Sequence, residues 1–185
     1  MTKISKWSRG RGGAGAFACV LAIVLLSPAC KEHKVASRPP EEEPPRLASV
    51  LKMGDPKIEP QLITGFYGVE NGAWRWAGKQ FSVNLLPPPG AAQNGGKLVA
   101  KLTVPAVVIE KNKSVSVSAT AGNVALAPET YTKPGDYVYT REVPASALIG
   151  DVVRVDFALD KAMPPAPPDI RELGIIVLSI GLEGK

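Results

Sequence analysis

The chain has 185 residues, with 22 lysines and arginines against 17 aspartates and glutamates, and a formal net charge of +5. Residues 1–29 carry four of the cations and no acid, which leaves 18 cations against 17 acids and excludes a nucleic-acid partner. Both cysteines, Cys19 and Cys30, and the one histidine, His33, precede residue 61. A disulfide scaffold and thiolate or imidazole chemistry are therefore excluded from residues 61–185.

The N-terminus has the order of residues that marks an export signal. Four cations precede an apolar run over residues 16–26, and small residues follow that run up to Cys30. The run has eleven residues, whereas a helix needs about 20 apolar residues to cross a bilayer. We therefore predict a signal peptide over residues 1–29 and an exported protein.

Cys30 gives this signal a more specific interpretation. With Ala29 before the cysteine, the tract resembles a bacterial lipoprotein signal, and Ser27 stands where that family usually has Leu. The resemblance implies lipidation of Cys30 and a membrane anchor facing the periplasm or the cell surface. Lys31, where inner-membrane lipoproteins usually have Asp, favours the outer membrane. Cleavage near Ala29 without lipidation and an uncleaved anchor are the alternatives, and all three place the protein outside the cytoplasm.

Residues 30–60 have the composition of a spacer, because they are polar, proline-rich and carry an acidic run at residues 41–43. Prolines favour extended backbone and adjacent acids repel one another, so we predict a semi-rigid tether over residues 30–60. Within it, residues 47–53 are predicted to form one or two helical turns, which the prolines that follow bring to an end.

Residues 61–185 alternate between apolar and polar positions, which is the pattern of strands with one buried face. Turn-forming residues separate the runs. We predict an all-β domain over residues 61–185, a two-sheet antiparallel β-sandwich of the jelly-roll kind with 8–9 strands. The positions predicted to face the core are Phe81, Val83, Leu85, Leu98, Ala100, Leu102, Val104, Val115, Val117, Ala119, Val153, Val155, Phe157, Leu159, Ile176, Leu178, Ile180 and Leu182.

Two local patterns give more detailed predictions. Asn71 and Gly72 both tolerate positive φ, so residues 66–70 and 73–77 should pair as a hairpin. Pro105 cannot donate to a central ladder, so the preceding run should end there and continue as a loop. No apolar stretch beyond residue 61 has a convincing helical period.

Trp74 and Trp76 are candidate ligand-binding residues, with Arg75 between them. They are two residues apart on a predicted strand, so the indoles should share one face while Arg75 points to the other. Two adjacent aromatic faces suit stacking against sugar rings. The alternative is that both indoles fill the core, because tryptophan is highly buried on average.

Tyr137, Tyr139 and Arg141 form a second row on one face of a predicted strand. Two phenols and a guanidinium offer amphipathic contact area and forked hydrogen-bond donors, which are typical of binding surfaces. We therefore include all three residues among the candidate ligand-binding residues. A solvated sheet face is the alternative interpretation of the same row.

Candidates for catalysis are weaker. Asp169 and Glu172 could form a carboxylate pair, but the favoured interpretation is a loop clasp in which a nearby acid neutralises Arg171. Ser49 and Lys52 match the Ser-x-x-Lys of penicillin-recognising enzymes, but the other elements of that site are missing. The sequence contains no cofactor fingerprint and no calcium-loop spacing. We therefore predict no catalytic residue, no cofactor and no metal.

Residues 65–70 and 169–174, together with Trp74 and Trp76, resemble the start and end of β-sandwich modules of bacterial envelope and glycan-related proteins. The resemblance implies a sandwich over residues 62–182 and a carbohydrate ligand at the two tryptophans. We predict an exported, lipid-anchored, non-catalytic envelope module with a glycan partner. The alternatives are a scaffold that binds an envelope protein and a hydrolase that relies on carboxylates alone.

Overall fold

The computed structural model describes residues 46–185. The signal peptide, Cys30 and the predicted tether up to residue 45 lie outside the described residues, so the predictions made for them stay predictions. Within residues 46–185, no helix combines the length and the apolar character needed to cross a membrane.

The described chain contains nine strands, two short helices and two 3₁₀ turns. The strands are β1 (Val50–Lys52), β2 (Leu62–Glu70), β3 (Trp74–Leu85), β4 (Gly96–Val104), β5 (Val115–Ala121), β6 (Val124–Tyr131), β7 (Gly135–Val143), β8 (Val153–Leu159) and β9 (Ile175–Gly184). The helices are α1 (Ala91–Asn94) and α2 (Ala106–Asn112), and the 3₁₀ turns span Pro56–Gln61 and Ala145–Ala147.

All strand pairs are antiparallel, and the strand order is β6-β5-β8-β3-β9-β4-β7, with β1 on β9 and β2 on β3. Strand β3 joins two layers, because Arg75 to Ala77 pair with β9 and Gln80 to Leu85 pair with β8. The layers face one another, and the ring of Tyr139 on β7 lies 6.3 Å from that of Phe157 on β8. The prediction of a two-layer antiparallel β-sandwich is confirmed.

The core lies between the layers, where the alternation in the sequence predicts it except at the start of β9. The prediction for Ile176 and Leu178 is wrong: a register shift against β4 skips Leu178, so Ile175 and Val177 face the core instead and Leu178 is 38% exposed. Along β5 every second residue is buried, from Val115 to Ala121. In the middle of the core, Phe81 stacks on Phe157 with ring centroids 4.8 Å apart and an interplanar angle of 6°. A stacked aromatic pair in contact with both layers removes much apolar surface from water, which is the main favourable term in folding.

The folded body begins earlier than the predicted boundary at residue 61. The predicted helical turns over residues 47–53 are wrong, because β1 pairs with β9 and places Leu51 opposite Ile180. Leu51 and Met53 are fully buried, and Ile58 is 4% exposed. The short run alternates exposed and buried residues, so it matches the free edge of β9 better than a helix.

The two local predictions have different outcomes. The hairpin is confirmed, with Asn71 and Gly72 at positive φ values of 50° and 65°. Its turn also includes Ala73, so Glu70 pairs with Trp74 and not with Ala73 as the two-residue turn predicts. Strand β4 ends before Pro105 as expected, but helix α2 follows instead of a loop. Pro105 precedes the first helical residue, a position where its missing N–H costs nothing. The helix has seven residues, too few for its hydrophobic period to stand out from the sequence.

Candidate binding site

The two candidate tryptophans share one face of β3, as predicted, and both are half-buried. Their ring centroids are 6.4 Å apart and the rings meet at 78°, edge to face. Trp76 also packs against the hydrophobic core. The indoles are nearly perpendicular, so they do not form one flat platform, and a sugar ring could stack on only one of them at a time.

Arg75 points to the opposite face and is 5% exposed. Its guanidinium donates from Nε to the Met53 carbonyl at 3.1 Å and from Nη1 to the Tyr67 carbonyl at 3.2 Å. The third contact is an ion pair with Glu59 on the 3₁₀ turn, at 3.0 Å. These contacts fix the chain before β2 to the start of β3, so Arg75 acts as a structural clamp and not as part of an open surface.

The row on β7 closes the seam between β6 and β7, the outermost strands of the two layers. Tyr139 is fully buried, and its hydroxyl donates to the Ala127 carbonyl on β6 at 2.9 Å. The Arg141 guanidinium lies 4.3 Å from the centroid of that ring and pairs with Glu129 at 3.0 Å. Burial raises the pKa of the Tyr139 phenol. Tyr139 has no surface to offer a ligand in this structure.

The other members of this row also contact β6 and the turn after it. Arg141 donates from Nε to the Ala127 carbonyl at 2.6 Å and from Nη2 to the Pro128 carbonyl at 3.0 Å. The half-buried Tyr137 donates its hydroxyl to the Lys133 carbonyl at 2.9 Å. Since backbone carbonyls of β6 accept from β7 side chains where no ladder joins the strands, the row stabilises the sandwich edge.

The predicted clasp around Arg171 is present. Its guanidinium pairs with Asp169 at 2.8 Å and with Glu70 at the end of β2 at 2.7 Å. The hydrogen bonds from Arg171 hold the pKa of the Asp169 carboxyl down at about 2. The Tyr67 hydroxyl accepts a hydrogen bond from the Glu172 N–H at 3.0 Å. The Glu172 carboxylate accepts the Lys79 N–H of β3 at 2.8 Å, so both acids of the supposed catalytic pair are engaged in holding the loop to the sheet.

A polar groove crosses the outer face of the layer that contains β8. None of the candidate sites predicted from the sequence lies in it. The groove has a volume of about 290 Å³. Four of its residues lie side by side on adjacent strands: Thr64 pairs with Ser82, Ser82 with Asp156, and Asp156 with Thr120. The polar residues that line this polar groove are Thr64, Gln80, Ser82, Ser118, Thr120, Arg154 and Asp156.

Charge inside the polar groove is internally balanced. Arg154 donates from Nε to Asp156 Oδ1 at 2.8 Å and from Nη2 to the Ser82 hydroxyl at 3.4 Å. Gln80 is exposed, and no described residue forms a hydrogen bond with its carboxamide. Ser82 is only 1% exposed, so the groups that the groove presents are its two threonine hydroxyls, an amide and one ion pair. These groups can donate to and accept from a hydroxyl-rich ligand.

Only one carboxylate, Asp156, belongs to the described residues that line the polar groove. No group of three or more potential metal-binding side chains is found within residues 46–185. The groove residues come from β2, β3, β5 and β8, and the signal in sequence was the small polar residue at every second position of β5. That signal indicates a solvent-facing strand, but it does not show which strands lie beside it.

The described residues thus define a two-layer antiparallel β-sandwich with an open polar groove on one face. No protein-family model matches the sequence, and the search of curated proteins gives no match. Solved structures with a similar fold include a carbohydrate-binding module, CBM36, in complex with calcium and xylotriose. It is 13% identical, with 72% of this chain and 98% of that chain covered and a TM-score of 0.41.

Two further modules have a similar fold. The CBM36-1 domain of a multidomain xylanase from the hindgut metagenome of Trinervitermes trinervoides is 8% identical, covering 74% of this chain and 96% of its own, with a TM-score of 0.40. A CBM4 structure is 12% identical, covering 74% and 85%, with a TM-score of 0.37. The similarity is one of fold, and it identifies neither a ligand nor a binding residue in this chain.

Proposed function

We propose that the protein is a non-catalytic module that binds carbohydrate through the polar groove. The observation that carries this proposal is the set of side chains that adjacent strands bring into the groove: threonine hydroxyls, an exposed carboxamide and the Arg154–Asp156 ion pair of β8. Neighbouring strands are about 4.8 Å apart, a spacing comparable to the length of a sugar ring. Polar groups at that spacing suit the successive hydroxyls of a glycan chain.

The charge of the groove favours a neutral glycan and binding without reaction. Asp156 and Arg154 neutralise one another at 2.8 Å, so the groove offers no excess charge to an acidic or basic ligand. Glycoside hydrolysis needs two carboxylates in unlike environments, and Asp156 is the one carboxylate that the described groove residues supply. The proposed role is therefore recognition and not cleavage.

Binding to neutral polysaccharides tests the proposal. The purified protein should bind on a glycan array, and affinity electrophoresis should show retardation in a gel that contains the bound glycan. Replacing Gln80→Ala and Thr120→Val together should weaken binding by roughly tenfold, because each change removes about one hydrogen bond without touching the core. Thr132→Val, an exposed position outside the groove, is the matched control and should bind like the unchanged protein.

Two results would count against the groove. Absence of binding across the array would remove the carbohydrate proposal and favour a scaffold that contacts another envelope protein. Loss of binding in Trp74→Ala, with the Gln80→Ala and Thr120→Val protein unaffected, would move the site to the tryptophan face that the sequence predicts.

We also propose that the module is exported and anchored by lipid at Cys30, in the outer membrane. The support is the order of cations, apolar run and small residues before Cys30, with Lys31 after it. In cell fractionation, the unchanged protein should sediment with membranes, and Cys30→Ser should release it to the soluble fraction. A Cys30→Ser protein that has lost its signal and still sediments with membranes would show that the lipid assignment is wrong.

A further inference from the structure

The other layer of the sandwich has a depression of its own, built by β1, β9 and β4 on their outer face. It has a volume of about 150 Å³. Gly181 forms its floor, with Val50 paired to it on one side and Val99 on the other. A Cβ at position 181 would approach Val50 Cγ2 to 2.8 Å, so the absence of a side chain at Gly181 lets Val50 lie against the floor of the depression. We call this depression, with the row of residues beside it, the basic notch.

Two lysines flank the next cross-strand row of the basic notch. Lys52 pairs with Ser179, and Ser179 pairs with Lys101, so the serine lies between the two lysines in one cross-strand row. The two lysine Cα atoms are two strand spacings apart, about 10 Å. Side chains of that length can converge on one anionic group placed above Ser179.

These lysines differ from the other cations of the same face. Lys97 lies 3.7 Å and Lys185 lies 2.7 Å from the carboxylate of Glu142, so both are paired. Lys52 and Lys101 are exposed, and none of residues 46–185 forms an ion pair or hydrogen bond with either side chain. Their charge is therefore available to an anionic ligand.

The apolar floor restricts the class of anion. Val50 is 48% exposed beside Gly181, so the notch combines a flat apolar strip with the two ammonium groups. At its far end the exposed Glu183 can accept hydrogen bonds from hydroxyls. A lone phosphate would contact the lysines and leave the strip empty. An acidic sugar would place its carboxylate on the lysines, its C–H face on the valines and its hydroxyls towards Glu183.

From this arrangement we propose that the basic notch binds the uronate units of an acidic polysaccharide. The proposal goes beyond the polar groove, since the two sites are on different layers and share no residue. Recognition depends on charge-assisted hydrogen bonds from both lysines to one carboxylate, supported by burial of apolar surface on Val50 and Val99. Because the lysines are exposed, added salt weakens binding.

The test uses the full chain with polygalacturonate and with the same polymer after methyl esterification, which removes the negative charge. The protein should bind polygalacturonate, and the methyl ester should bind at least about tenfold more weakly. Lys52→Gln combined with Lys101→Gln should cause a loss of the same size. Lys97→Gln, on the same strand and face as Lys101, is the matched control and should stay within about twofold of the unchanged protein, because Lys97 already has an acidic partner.

Several outcomes would overturn the uronate site. These are no binding of polygalacturonate, equal binding of the methyl ester, or an equal loss in Lys97→Gln. Equal affinity for sodium polyphosphate, or for vesicles containing phosphatidylglycerol, would replace the uronate with a phosphate-bearing ligand. The Gln80→Ala and Thr120→Val protein should bind polygalacturonate normally, so failure of the polar groove and failure of the basic notch can be told apart.

Discussion

A protein that begins at residue 61 is expected not to fold, although the sequence pattern places the start of the domain there. Removing residues 46–60 deletes β1 and with it the buried side chains of Leu51, Met53 and Ile58. Loss of one such side chain from a core typically costs about 2–5 kcal/mol. The combined loss is comparable to the whole stability of a typical domain, about 5–15 kcal/mol.

Proton–nitrogen correlation spectra and thermal unfolding of two truncated proteins would check this expectation. The protein that starts at residue 46 should give dispersed amide signals and a cooperative transition. The protein that starts at residue 61 should give collapsed signals and no transition. If both proteins unfold with the same midpoint, β1 does not belong to the stable core.

Arg75→Leu is expected to lower the free energy of unfolding by about 3 kcal/mol. The change leaves the carbonyls of Met53 and Tyr67 without their donors, at 3.1 and 3.2 Å in the structure, and removes the ion pair with Glu59. An acceptor left unpaired in a buried position costs about 1–3 kcal/mol. Arg75→Lys should be intermediate, because an ammonium group cannot reproduce the fork of donors.

Denaturant unfolding measures this effect, with Arg154→Leu as the control. Arg154 also forms an ion pair on a strand, but its side chain is 55% exposed, so its removal should cost less than about 1 kcal/mol. Equal stabilities for the Arg75→Leu and Arg154→Leu proteins would mean that Arg75 is not a structural clamp. Arg75 would then again be a candidate ligand-binding residue, as its position between the two tryptophans suggests.

The alternation of residues allowed the sandwich to be predicted because burial of one sheet face is a local property of each strand. Strand β5 alternates without exception, and the positive-φ residues Asn71 and Gly72 mark the turn between β2 and β3. Strand β1 was not predicted, because its formation depends on a distant partner and not on its own residues. Its three residues lie next to a proline-rich segment, and what makes them a strand is the edge of β9, far away in sequence.

The functional surfaces were harder to predict, because they depend on which strands become neighbours. The alternation of β7 placed Tyr137, Tyr139 and Arg141 on one face correctly, but it does not show that this face turns towards β6. The polar groove combines Thr64, Ser82 and residues far along the chain through strand register. No spacing within a single strand contains that information.

Chemical-shift mapping with the neutral oligosaccharide that binds best on the array tests the central claim most directly. If the polar groove is the site, the amide signals that move during the titration will be those of Gln80, Ser82, Thr120 and Asp156, which three adjacent strands bring together. Shifts confined to Trp74 and its neighbours, with the groove signals unchanged, would contradict the claim.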